Sequence, residues 1–198
     1  GIKTMTLDAN VDNVLDLVDQ ELNTTTNRMH LTSPSTNALV FNSGFVSSDG
    51  AGRLAWNTNS TSEYLFSVGS SIGTPRIRPI AITPNSVDPQ TFEVRMANVD
   101  PSTEGFGTSI TAEDICQVND DFFHLIEQTS GVATADVGIH YLSAQDGSWD
   151  RGLHWQNIPQ WENMPGAVVG VSGIYDLITV PAWNNYSDPA FALGYTLP

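Results

Sequence analysis

The sequence is short of positive charge, of cysteine and of long apolar runs, and each shortage removes a class of function. Its 198 residues carry 7 basic side chains against 22 acidic ones, a formal net charge of -15. Only Lys3 is a lysine. Binding nucleic acid through its phosphates needs a basic patch, so that partner is excluded. Anionic membranes should repel the chain, and cations should be drawn to it. Cys116 is the single cysteine, which rules out an intrachain disulfide and a cysteine-built metal site. Its surroundings, EDICQV, read as a short strand or turn holding a buried apolar thiol rather than a nucleophile. No apolar run approaches the ~20 residues of a membrane-spanning helix, so membrane insertion is not expected. No signal peptide is recognisable, and Gly1 in place of Met reads as the start of a processed or excised piece. Ser, Thr and Asn fill the space that lysine leaves, a balance that suits an extracellular β protein better than a cytosolic enzyme.

What is present is strand patterning, clearest from Ser62 to Asn98. Phe92, Val94 and Met96 alternate with Thr91, Glu93 and Arg95, the period of two of a half-buried strand. Tyr64, Phe66 and Val68 alternate in the same way. Pro79 lies between Ile77 and Ile80 and marks an edge or a bulge, because proline cannot donate to a ladder. Arg76, Arg78 and Arg95 fall in this one unit and are expected to pair with carboxylates across the sheet. As exposed pairs, each would stabilise by roughly 0.2–1 kcal/mol.

Residues 1–60 are short apolar clusters separated by Asn, Asp, Thr and Ser. They predict six or so short strands, with turns at Ser33-Pro34 and Asp49-Gly50. A few coils of a β-solenoid and a meander forming half a sandwich both fit the loose repeat. Residues 99–121 are the longest stretch without pattern, and loops of that length tend to be functional or mobile. DFFHLIEQ then reads as a strand. GVATADVGIHYL reads as a longer one, with Ala133, Ala135, Val137, Ile139 and Tyr141 on one face. The two should form a hairpin through Thr129-Ser130-Gly131.

Several stretches resemble a known group of proteins. NSGFVSSDGAGRLAWNT, YLFSVGSS, RIRPIAIT and TFEVRMAN follow in that order. FFHLIEQTSG, DVGIHYL, GSWDRGLHW and a closing run ending in FALG come after them. This pattern is similar to one found in very large cell-surface proteins of the Bacteroidota, adhesin-like or gliding-motility-associated, many exported by type IX secretion. There it tends to precede a C-terminal sorting domain, which is missing before Pro198. The resemblance covers nearly the whole chain and implies a β fold at the cell surface. It carries no catalytic motif.

Candidate sites are few. Asp146, Ser148 and Asp150, in D-G-S-W-D, offer oxygen ligands in a glycine turn of the kind Ca²⁺ takes, without the EF-hand pattern; a plain turn is the competing reading. His124, His140 and His154 would bind a metal only if neighbouring strands brought them together. Asp120-Asp121 lacks the second acid that glycoside hydrolysis requires. No G-x-S-x-G elbow supports a catalytic serine. Trp149 and Trp183 lie in turns among polar residues and are the tryptophans expected to be exposed, as a sugar-stacking platform would require. Trp155 and Trp161 read as core. Met5, Leu7 and Ala9 share one face of an N-terminal strand that completes its own sheet or adds to the edge of another copy, near residues 174–195.

The sequence therefore predicts an all-β protein. Residues 61–198 form a β-sandwich of Greek-key or jelly-roll kind, and residues 1–60 a strand-rich extension, with a solenoid-like arrangement one of the two it allows. The leading function is a structural or adhesive domain at the cell surface, not an enzyme. Its partners would be copies of itself or other surface proteins, with assembly into a filament by strand addition. A carbohydrate-binding module with glycan partners, using Trp149 and Trp183, is the alternative. A secreted hydrolase is the weaker one.

Overall fold

A computed structural model describes residues 1–112, 114–156 and 158–196. The chain is almost wholly β. Its first eight strands form a parallel solenoid. β1 (Ile2–Thr4), β2 (Ala9–Val11) and β3 (Leu15–Val18) make the first coil. β4 (Glu21–Asn23), β5 (Arg28–Leu31) and β6 (Leu39–Phe41) make the second, and β7 (Phe45–Ser47) and β8 (Arg53–Thr58) begin a third. Each strand lies parallel to its counterpart in the next coil, as β1-β4-β7, β2-β5-β8 and β3-β6. Of the two arrangements the sequence allows for this segment, the solenoid is the one adopted.

The corners explain why the strands are so short. At these points polar side chains cap the turning backbone: Asp16 Oδ1 accepts from the Val18 N–H at 3.0 Å, and Asn23 Oδ1 from the Thr25 N–H at 2.8 Å. Val18 and Thr25 themselves adopt the left-handed region, at φ 50° and 55°. Gly44 stands where successive coils touch. A Cβ there would lie 2.7 Å from Leu17 Cβ and 2.9 Å from the Gln20 carbonyl, so no other residue fits. Inside the coils, Leu17, Met29, Leu31, Leu39, Val46, Leu54 and Trp56 stack as a buried column.

After the coils come β9 (Tyr64–Phe66), β10 (Gly69–Ser70), β11 (Arg76–Ile77), β12 (Ile80–Pro84), β13 (Gln90–Ala97) and β14 (Ile115–Val118). Next are β15 (Phe123–Ser130), β16 (Ala135–Tyr141), β17 (Arg151–Trp155) and β18 (Trp161–Asn163). β19 (Val168–Ser172), β20 (Tyr175–Trp183) and β21 (Ala190–Thr196) end the chain. Two sheets face each other. The smaller has five strands in the order β19-β20-β16-β12-β9. The larger has nine, in the order β18-β17-β21-β15-β13-β8-β5-β2, with β14 on β21. One hydrogen-bonded sheet thus runs from the sandwich into a face of the solenoid, through the antiparallel pairing of β8 with β13.

Phe92, Val94 and Met96 from one sheet, and Val137, Ile139, Tyr64 and Phe66 from the other, meet in the core at no more than 1% exposure. The alternation read in the sequence places them correctly. The expected β15–β16 hairpin does not form. β15 is paired along its length with β13 and, at His124 and Leu125, with β21. The chain instead crosses at Gly131, φ 84°, and β16 joins the opposite sheet between β12 and β20.

Residues 99–112 are tied down rather than loose. A 3-10 turn, Pro101–Glu104, is capped by Asp100, whose carboxylate accepts from the Ser102 N–H at 2.7 Å. Phe106 then packs edge-on against Phe123 and Trp155.

Candidate functional site

The three arginines singled out in the sequence do pair with carboxylates, but in the interior. Arg76 is 7% exposed and Arg78 1%. Arg76 lies in β11 and Arg78 in the link to β12, and both grip Asp146, which ends a single helical turn after β16 (Ser143–Asp146). Arg76 Nε lies 3.0 Å from Asp146 Oδ1. Arg78 donates through Nε at 2.5 Å and Nη2 at 2.9 Å. The Leu142 N–H adds a further bond, at 2.9 Å. Arg76 also reaches Asp121, at 2.8 Å, and both guanidiniums lie over the Phe122 ring, at 5.9 and 5.8 Å. Desolvating two cations and one anion is tolerable because every charge has partners. The expectation of exposed, weak pairs is corrected here, and for Arg95 too. Arg95 is 8% exposed and makes a two-pronged bond to Glu104, at 2.5 and 2.8 Å.

The same arrangement shows where the calcium candidates Asp146, Ser148 and Asp150 lie. The Asp146 carboxylate is occupied by the two guanidiniums and the Leu142 N–H. Ser148 is exposed. Asp150 turns to Thr196, accepting from its N–H at 3.2 Å. Asp146 and Asp150 are therefore directed to different partners. Among the described residues, no group of three or more His, Cys, Asp or Glu side chains is placed to hold a metal ion.

The three histidines do not meet either. His124 Nε2 donates to the Arg78 carbonyl at 2.8 Å, His140 Nδ1 to that of Pro79 at 3.0 Å, and His154 Nε2 to that of Asp188 at 2.6 Å. Each bond to a carbonyl requires the N–H on that nitrogen. Burial lowers all three below the ordinary histidine value, His124 furthest, to about 4. Folding thus holds these rings neutral, while the unfolded chain protonates near pH 6.5. Stability should be level above pH 6.5 and fall as the pH drops from there towards 4. The urea midpoint followed by tryptophan fluorescence checks this; a midpoint unchanged between pH 7 and 5 would show that the rings are already charged in the fold.

Of the tryptophans expected at the surface, Trp149 is buried and Trp183 partly so. Trp149 is 8% exposed, with its indole N–H bonded to the Asp146 carbonyl at 2.8 Å. Trp183 is half-buried, edge-on to His154 and Phe191, with its N–H held by the Asn185 carbonyl. Both indole donors find carbonyls within their own turns, which folds the rings inward. Trp155 and Trp161 are core, as expected. Cys116 differs in the other direction: a register shift in β14 leaves it exposed while Ile115 and Val118 are buried. Asp120 and Asp121 are exposed ahead of β15, and Asp121 is the partner of Arg76.

The N-terminal candidates do not make one strand. Ile2–Thr4 is β1, bonded in parallel to β4 of its own chain. Leu7, 67% exposed, projects at the corner that follows, and Met5 and Ala9 pack partly on the core on either side of it. A solenoid corner interrupts what reads as continuous alternation.

The open edge lies elsewhere. β19 ends the five-stranded sheet, just before the 174–195 window. All five of its residues are exposed, with Val168 at 62%, Val169 at 52% and Val171 at 77%, and Ile174 in the hairpin turn at 79%. No charged residue occurs from Pro165 to Tyr175. Val169 stands opposite Ile178, which itself stands opposite Ile139, so Val169 belongs to the core-facing side of the sheet. It is exposed because the opposite sheet does not extend beneath β19. The sequence signal was available: AVVGV has no charge and no flanking lysine or proline inside the strand, the usual protections of an edge.

Comparison with protein-family models, with curated proteins and with solved structures returned no match in any of the three. No helix among the described residues is long and apolar enough to cross a membrane.

Proposed function

We propose that this chain is a structural or adhesive domain of an extracellular β protein, and that it associates with further copies of itself through β19. The observation that carries this reading is the exposed, uncharged edge with an uncovered apolar face beside it. A second β19 laid antiparallel would supply the missing main-chain bonds and cover the valines. Self-repulsion of a chain at -15 opposes contact elsewhere, so the charge-free edge is where two copies can approach. The scarcity of lysine and the abundance of Ser, Thr and Asn support the extracellular placement. Among the described residues, neither an exposed tryptophan platform nor a group of unpaired facing carboxylates favours the sugar-binding or hydrolytic alternatives.

The test is Val169→Lys, at a half-exposed position that the fold does not need. Light scattering after size exclusion should show concentration-dependent association for the wild type and a monomer for the variant, with unchanged thermal unfolding. A wild type that stays monomeric at several hundred micromolar, or a variant that associates equally, defeats the proposal.

A further inference from the structure

The outer face of the five-stranded sheet carries a groove of about 470 Å³, a volume in the range of small-molecule sites. The corner between β6 and β7 forms one wall, with Phe41. The β19–β20 turn forms the other, with Ile174 and Tyr175. Leu65, Pro79 and His140 lie between them. Among the described residues, no Asp, Glu, Lys or Arg side chain lines it.

His140 is the polar group of interest. It is 3% exposed, and its Nδ1–H is committed to the Pro79 carbonyl at 3.0 Å. That bond fixes the tautomer and leaves Nε2 with a lone pair and no protein partner among the described residues. The Tyr175 ring stands edge-on to the imidazole at 5.6 Å and holds it in place. Nε2 is the ring atom left accessible at the groove, where the donor of a bound molecule can meet it.

We propose that this groove binds a small, neutral, mainly apolar molecule carrying one hydrogen-bond donor, with the donor on His140 Nε2. The apolar walls select the body of the ligand. The absence of charge in the lining, inside a strongly acidic protein, excludes an anion. A carbonyl-only or fully apolar ligand would leave the imidazole lone pair unmet. The inference rests on the groove alone and does not depend on association through β19.

Phenol and toluene are the probes, titrated into ¹⁵N-labelled protein. Phenol should perturb the amides of Leu65, His140 and Tyr175 and shift the His140 Nε2 resonance, and should bind at least as tightly as toluene. Phenol is the better hydrated of the two. A groove without an available acceptor would therefore bind it about tenfold more weakly than toluene. His140→Phe should reverse the order in favour of toluene; if that variant fails to fold, the wild-type comparison decides alone. Toluene binding more tightly than phenol to the wild type, or neither probe moving these residues, overturns the proposal.

Discussion

Replacing Asp146 by alanine should cost about 3–5 kcal/mol, because it strands two buried guanidiniums without their shared anion. Stabilities of single domains are of the order of 5–15 kcal/mol, so the variant should be at the margin of folding at 25 °C. Arg78 would keep only the Ile77 carbonyl, at 2.7 Å, and the Gln145 side chain, at 2.6 Å. Arg76 would keep Asp121 and Asn98. Asp146 also joins parts distant in the chain. The arginines lie in β11 and the link that follows it, Asp146 follows β16, and Asp121 and Phe122 lead into β15 of the other sheet. Its loss should therefore loosen the packing between the sheets and not one turn alone. Urea unfolding by tryptophan fluorescence measures it. Glu127→Ala is the control: its 3.8 Å contact with Arg53 is partly exposed and should be worth less than ~1 kcal/mol. Similar losses from the two variants would show that the buried carboxylate is not what holds the arginines.

Val94→Asp should prevent folding. Val94 is fully buried between the sheets, with neighbours Leu54 and Ile126 across the ladder. A carboxylate there has no cation within the apolar core and must be buried either charged or protonated, each at a cost of several kcal/mol. Arg95→Ala, one residue along, should cost about 1.5–3 kcal/mol, the range of hydrogen bonds to charged groups. That exceeds what an exposed pair would lose, because the guanidinium is buried beneath Glu104. Circular dichroism and urea midpoints separate the two variants. Equal losses would mean that the faces of β13 are assigned backwards.

Much of the fold was legible because strands write their burial at a period of two. Phe92, Val94 and Met96, and the alternating residues of β16, could be placed on the core side without knowing what they touch. The coils were less legible. Their spacing varies from one to the next, as Ile2 beside Glu21 and then Glu21 beside Phe45 show. A repeat of unequal length has no fixed period to detect. The failures share another cause. Trp149 and Trp183 were judged by flanking polarity and the three arginines by the acidity of the chain, and neither signal reports the carbonyls and carboxylates that draw these side chains inward.

The sequence by itself determined the class of protein: all-β, strongly acidic, without disulfide, helical membrane span or basic patch. These are properties of composition and of local period, which need no knowledge of neighbours. The tertiary structure decided everything that depends on which strand lies beside which. It placed β16 opposite β15, between β12 and β20 of the other sheet. It brought Asp146 to Arg76 and Arg78, and turned His140 into a groove instead of a metal site. It left β19 with one hydrogen-bonded side, because β19 is the last strand of its sheet. Main-chain pairing partners and the extent of an opposing sheet are long-range facts, and no local pattern encodes them.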